Sequence, residues 1–496
     1  MNRDEKLRGR MTTIFSRIAR IGLVTAIVAM AWPAAAASVH DKADTAFMFI
    51  CTVLVLLMTI PGLAMFYAGL VRAKNVASIF AQVIGTVCLV VVLWLAFGYS
   101  LAFTADETGS GIVGGLSKIF VRGVSASSSV STFSNGVVIP EYLYICFQMT
   151  FAAITPALMV GAFAERMKFS AMLFVVALWL PIVYCPMAHM MWYWAGPDKL
   201  ADAASALSAA TPGAGRALAE FHLAAVQADA GFLFRLGAID FAGGTVVHIN
   251  AGIAALVGVL VLGPRLGYGR ESMPPNSLAM SAAGAALLWV GWFGFNCGSN
   301  LEANDVVVLA LANTFAATAS AGLCWMLTEW TFRGKPSLLG LISGIVAGLV
   351  AVTPASGFAH PIAALVIGFV SGVLCFLSCT LIKNAVGYDD TLDVFGIHCI
   401  GGIIGALGTG LVVDPALGGT GVADYLSQPG SVVAVYDRTS QILAQIQAVG
   451  MTLAWSGVGT FLIFVFVHAT IGLRAKPQDE EAGLDITDHG ETADYR

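Results

Sequence analysis

The chain has 496 residues, 58% of them hydrophobic and only 11% charged, with a net charge of −5. Eighteen of its Asp, Glu, Lys and Arg residues fall in residues 1–20 and 474–496, which leaves the stretch between about 8% charged, against about 25% in soluble domains. So thin a charged coat excludes a soluble globule, and scattered bases exclude a nucleic-acid binder, which needs a basic stripe.

Residues 1–37 read as a signal peptide. Arg8, Arg10, Arg17 and Arg20 give a positive segment, Ile21–Trp32 an apolar one, and Ala34–Ala37 the small residues before a cleavage site. An uncleaved first helix is the alternative. The body, 38–473, holds eleven apolar runs of membrane-crossing length. They cover 44–69, 76–103, 143–163, 169–192, 239–262, 276–298, 304–330, 337–356, 361–383, 395–413 and 445–473. The fold class is therefore an all-α polytopic membrane protein.

Basic residues orient the bundle. Arg72, Lys74, Arg166, Lys168, Arg265, Arg270, Arg333, Lys335 and Lys383 all lie in odd-to-even connections. The positive-inside rule puts the mature N-terminus outside and the C-terminal tail in the cytoplasm. Three connections, 104–142, 193–238 and 414–444, are long and belong outside; the second has helical potential at 216–228. The nine cysteines sit in or beside apolar runs and read as small buried hydrophobes.

Spans five and ten carry a repeated pattern. In DFAGGTVVHINAG, Asp240 precedes His248 by eight residues; in DDTLDVFGIHCIGG, Asp390 precedes His398 by the same count. Gly252, Ile253 and Gly258 match Gly402, Ile403 and Gly408 when counted from each histidine. A five-span unit inverts when repeated, which is the five-plus-five inverted repeat of many transporters, with the solute site between the halves. Small residues at helical spacing let the two helices touch and bring the histidines together. A single buried histidine is usually an interhelical hydrogen bond; two at equivalent repeat positions point to a pathway. Imidazoles kept neutral by burial share a proton and suit a small, weakly acidic cation such as ammonium. Asp240 and Asp390 each open a span, where a carboxylate caps free N–H groups; an electrostatic role for Asp240 at the pore mouth is the sharper alternative. Neither histidine has a carboxylate at metal-ligand spacing, and no HExxH or GxSxG occurs, so no metal, cofactor or enzymatic reaction is expected.

These segments resemble the ammonium transporter (Amt/Rh) family, bacterial Amt members above all. TIPGLAMFYAGLVRAKNV, FAERMKFS, AHMMW and WFGFNCGSN add to the likeness, which spans about residues 42–496. The resemblance implies the eleven-helix ammonium transporter fold in a homotrimer. It also implies an exterior recruitment site at Phe151, Trp192 and Ser299, a gate of Phe151 and Phe295, and a pore past His248 and His398. Trp292, Gln148 and Thr353 match pore-adjacent positions. The implied mechanism recruits ammonium, or methylammonium as an analogue, removes its proton and conducts ammonia. The tail, 474–496, is acidic and polar and by composition alone a solvated segment. Its EEAGLDITDHGE resembles the family segment that docks PII signalling proteins. The 193–238 connection is longer than in bacterial relatives, and Pro156 is placed to kink the third span. A sensor with little flux is the competing reading.

Overall fold

The computed structural model describes residues 40–426 and 432–493; the expected signal peptide lies outside them. Among the described residues, eleven helices are long and apolar enough to cross a membrane. They are α1 (Lys42–Leu70), α2 (Ala73–Phe103), α3 (Glu141–Phe163), α4 (Phe169–Trp192), α5 (Gly244–Leu262), α6 (Leu278–Gly298), α7 (Asp305–Arg333), α8 (Leu338–Ala355), α9 (Pro361–Val386), α10 (Phe395–Val412) and α11 (Arg438–Thr470). Their number and order are those the apolar runs predict.

Polar side chains set the starts of many spans. Asp41, Ser277, Asn304, Ser337, His360 and Asp437 each accept a hydrogen bond from an N–H in the first turn of α1, α6, α7, α8, α9 and α11. Three starts differ from expectation. The last span begins at Arg438, because Gln441 and Gln445 turn inward and bond the Gly237 and Ile239 carbonyls and the Ile239 N–H. Polarity there marks an inner helix face, not a loop. Asp240 and Asp390 do not open their spans; helix starts at Gly244 and Phe395, four and five residues on. Pro156 leaves α3 continuous from Glu141 to Phe163. Cys88 is exposed, unlike the buried hydrophobe expected, whereas six of the nine cysteines are buried.

Glycines allow close crossings. Gly284, Gly291 and Gly294 of α6 lie against the backbone of α1 at Phe66, Leu54 and Cys51. Spans α5 and α10 cross reciprocally: Gly252 faces the backbone of Cys399, and Gly402 faces that of Ile249. Cys399 and Ile249 are the residues after the two histidines, so the crossing has the pseudo-twofold character of the inverted repeat. A methyl group on Gly252 would lie 2.6 Å from Cys399 Cβ. Gly252→Ala is expected to cost about 1–3 kcal/mol through overpacking. Gly450→Ala, with nothing within 4 Å of the added carbon, serves as the neutral comparison. Thermal unfolding in detergent, with a clear drop for the first only, checks this.

The long connections 104–140 and 193–243 meet the 413–437 connection on one side of the bundle, the loop face. Helices Pro197–Ala209 and Ala214–Ala228 occupy the second connection. Asp198 of the first helix accepts hydrogen bonds from Ser131 and Gly136, anchoring the hairpin of β1 (Ser129–Ser131) and β2 (Val138–Pro140). Glu302 holds the same hairpin through the N–H groups of Phe133 and Ser134.

The opposite side, the tail face, is bound by charge. Arg72 and Arg265 both pair with Glu165, at 2.7 and 3.4 Å, and Arg265 also pairs with Asp389 at 2.9 Å. Burial alone would raise the Asp389 pKa; the Arg265 hydrogen bonds and the Arg166 charge outweigh it and hold the carboxyl below its usual range. The tail is folded, contrary to its composition, as short helices Pro477–Ala482 and Leu484–His489. The acids that suggest solvation serve as ligands: Asp485 accepts from Ser78 N, Asp488 from Phe169 N, and Glu480 pairs with Arg474 at 2.7 Å. Two aspartates three residues apart thereby satisfy N–H groups in the first turns of two different spans.

Candidate functional site

A cavity of about 980 Å³ opens on the loop face and narrows onto Phe151, Trp192 and Ser299, which all line it. Gln148 and Asp240 line it as well. The Phe151 ring meets Trp192 edge to face at 5.8 Å and stacks on Phe295 at 4.1 Å with 19° between planes. Phe151 and Phe295 are 1% and 0% exposed, so the stacked pair closes the floor of the cavity. Ser299 Oγ donates to the Phe295 carbonyl at 2.9 Å. Its lone pairs therefore stay free to accept from a cation. Trp192 Nε1 donates to the Asp240 carbonyl at 2.9 Å, which fixes the indole face at the mouth.

Beneath the stacked pair lie the histidines. His248 sits 6.0 Å from the Phe295 ring, stacked on Trp292 at 5.3 Å. Its Nδ1 is 3.2 Å from Nδ1 of His398, with the rings 5.3 Å apart at 22°. One Nδ1 carries a proton and the other accepts it, so the pair presents one protonated and one bare Nε2. His248 Nε2 is buried with no partner among the described residues. Trp292 is held by its Nε1, which donates to Thr353 Oγ1 at 2.8 Å. Both histidines lie in π-helical turns, Gly244–Ile249 and Phe395–Cys399. Such turns rotate side chains off the regular helical face and frequently mark functional positions.

The two aspartates differ. Asp240 Oδ1 accepts from Gly243 and Gly244 N–H, and Oδ2 from Thr245 and Val246 N–H, at 2.7–3.1 Å. The chain reaches this geometry through Gly243 at φ 111°, a conformation that excludes most side chains. Burial raises the Asp240 pKa, against the pull of the four N–H groups. Asp390, on the tail face, accepts from Phe395 N through Oδ2 alone. Burial, opposed by Lys383, pushes its pKa up to about 6. Phe151, Trp192, Ser299, Phe295, Trp292 and the two histidines thus come together, while Asp390 lies apart.

The "Ammonium Transporter Family" profile matches residues 46–494. The chain belongs to the ammonium transporter family. An "Ammonium transporter" of Aquifex aeolicus is 41% identical over 453 residues, 91% of this chain and 93% of that protein. A Bacillus subtilis protein of the same description is 41% identical over 91% of this chain and 98% of its own. Among solved structures, Saccharomyces cerevisiae Mep2 aligns with a TM-score of 0.70 at 31% identity, covering 88% of this chain and 91% of Mep2. A "Sensor Amt Protein" aligns at 0.73 and 25% identity, covering 90% and 98%. The fold is thus that of the ammonium transporters, and the family's members are not enzymes.

The sequence reading missed part of the mouth. Phe133, Trp194, Phe234 and Tyr425 come from three separate loop connections and cluster around the cavity, with Trp194 and Tyr425 at 5.1 Å. Nothing in their local sequence signals this; only WYW at 192–194 hints at an aromatic rim. The Asn296–Thr353–Trp292 hydrogen bonds likewise join residues from separate spans.

Proposed function

We propose that this transporter recruits ammonium at Phe151, Trp192 and Ser299, strips its proton near the Phe151–Phe295 pair, and passes ammonia along His248 and His398. The observation that carries this is the order along one line: aromatic mouth, stacked gate, then two histidines sharing one hydrogen bond. Aromatic faces attract a cation. The apolar floor then opposes it, because moving an intact ion into a dry site is costly. A neutral ammonia molecule and a proton travel more cheaply apart. The bare Nε2 of the pair takes the proton that the breaking N–H bond releases, and the N–H of the pair donates to the ammonia lone pair. Potassium has no proton to release and is stopped at the gate.

The loop face is the periplasmic side and the tail face the cytoplasmic side of a bacterial inner membrane, since the basic residues gather on the tail face. Asp240 acts mainly as the cap that holds the start of α5 beneath the mouth. The chain assembles as a homotrimer, and the docked tail is where a PII-type protein regulates it. Residues 1–37 are removed as a signal peptide.

Uptake of methylammonium into proteoliposomes tests the reading. Flux no higher than in empty vesicles would sink it. Ser299→Ala removes one hydrogen bond to the cation, worth about 0.5–1.5 kcal/mol. The half-saturating ammonium concentration is expected to rise several-fold while the maximal rate holds.

A further inference from the structure

The cavity above the gate extends well beyond the recruitment site. Glu141, Tyr144, Gln148 and Phe151 follow one another along α3 at spacings of three, four and three residues, so they share one helix face, and all four line the cavity. At 1.5 Å per residue Glu141 stands about 15 Å along the helix from Phe151, toward the loop face. Tyr99, Phe103 and Lys118 line the same cavity. The Tyr144 ring meets Phe103 edge to face at 5.3 Å and Tyr99 at 6.4 Å. Glu141 is therefore a carboxylate at the head of a partly aromatic track that ends at the gate.

That carboxylate already holds an ammonium group. Lys118 Nζ donates to Glu141 Oε1 at 2.5 Å, and the Tyr99 hydroxyl donates to the same oxygen at 2.9 Å. The Glu141 side chain is 4% exposed and that of Lys118 32%. The room for a small cation at this carboxylate is the volume that Lys118 Nζ fills. The Lys118 backbone is tied down separately: its N–H donates to Ser100 Oγ at 3.0 Å, and that hydroxyl donates to the Gly115 carbonyl at 2.9 Å. The head group can thus leave Glu141 without unfolding the 104–140 connection. A carboxylate so buried is costly when unpaired, so Lys118 leaves only as another cation arrives. Ammonium offers the N–H donors that a lysine head group offers, in a similar size; sodium and potassium offer none.

We propose that Glu141 and Tyr99 form a second ammonium site in the mouth, and that Lys118 fills it as a tethered competitor which ammonium displaces. This rests on the reading that ammonium enters from the loop face. A head group on a short flexible tether competes at an effective concentration of the order of millimolar. The site therefore loads when outside ammonium reaches that range, and below it Lys118 keeps the place.

Thermal unfolding of the full chain in detergent tests this, with ammonium chloride against sodium chloride at equal ionic strength. In Lys118→Met the carboxylate loses its tethered partner. Ten-millimolar-range ammonium is then expected to raise the melting temperature by about 3 °C or more beyond its effect on the Lys118→Met/Glu141→Gln double variant. The double variant retains Phe151, Trp192 and Ser299, so the comparison subtracts ammonium bound there. Equal ammonium responses in the single and double variants overturn the site. A sodium response in Lys118→Met as large as the ammonium one overturns its selectivity for N–H cations. If Lys118→Met does not fold, Lys118→Gln, whose amide still donates to Glu141, carries the same comparison. These shifts are read without flux, so they stand or fall apart from methylammonium uptake.

Discussion

His248→Ala and His398→Ala are each expected to cut ammonium flux at least about fivefold and to admit potassium that the unaltered protein excludes. Each substitution removes one partner of the 3.2 Å Nδ1···Nδ1 contact and leaves the other imidazole buried with a lost hydrogen bond. Such a loss is worth about 1–3 kcal/mol, which is about five- to 150-fold in rate. It also removes the ring stacked on Trp292 or beside it, in a region where His248 is 0% exposed. The vacated volume is bordered by the remaining imidazole, polar enough to hold water. Water lowers the cost of an intact cation, so selectivity falls together with flux. Parallel flux measurements in ammonium- and potassium-loaded proteoliposomes give the answer. Potassium exclusion unchanged in both variants would remove the proton-splitting role from the pair.

Asp240→Ala should have the largest effect on folding. Its carboxylate satisfies four consecutive N–H groups at a buried helix start, and the residue is only 7% exposed. With each unsatisfied donor costing at least about 1 kcal/mol, the sum is about 4 kcal/mol. At about 2–4 °C per kcal/mol for a large domain, the melting temperature should fall by about 10 °C. Asp240→Asn should be nearly as harmful, because its amide nitrogen would point a donor at two of the same N–H groups. Equal damage from both isolates hydrogen-bond acceptance as the role of the residue. A melting temperature within about 2 °C of the unaltered protein, less than 1 kcal/mol by the same scaling, would show that water replaces the carboxylate.

Much of this architecture is legible in the sequence because a bilayer imposes simple rules. Apolar runs give the eleven spans, since every backbone group in hydrocarbon must be satisfied within a helix. The paired Asp–His spacing brings out the repeat, and the glycines after each histidine foreshadow the crossing. Three features escape such reading, each for a physical reason. The start of α11 is hidden because Gln441 and Gln445 are polar yet bond buried backbone. The folded tail is hidden because Asp485 and Asp488 look like solvated charges, though their partners lie some 400 and 320 residues away in sequence. The aromatic rim is hidden because Phe133, Trp194, Phe234 and Tyr425 come from segments with no common periodicity.

The reciprocal seating of Gly252 on Cys399 and of Gly402 on Ile249 has a further consequence. Because the two histidines flank a local pseudo-axis, the route proposed above presents the two rings in mirrored order to a molecule arriving from either side. A midpoint of that kind does not act as a one-way valve. On that route net movement of ammonia follows its own concentration gradient, with the asymmetric mouths deciding only how readily each side supplies the midpoint.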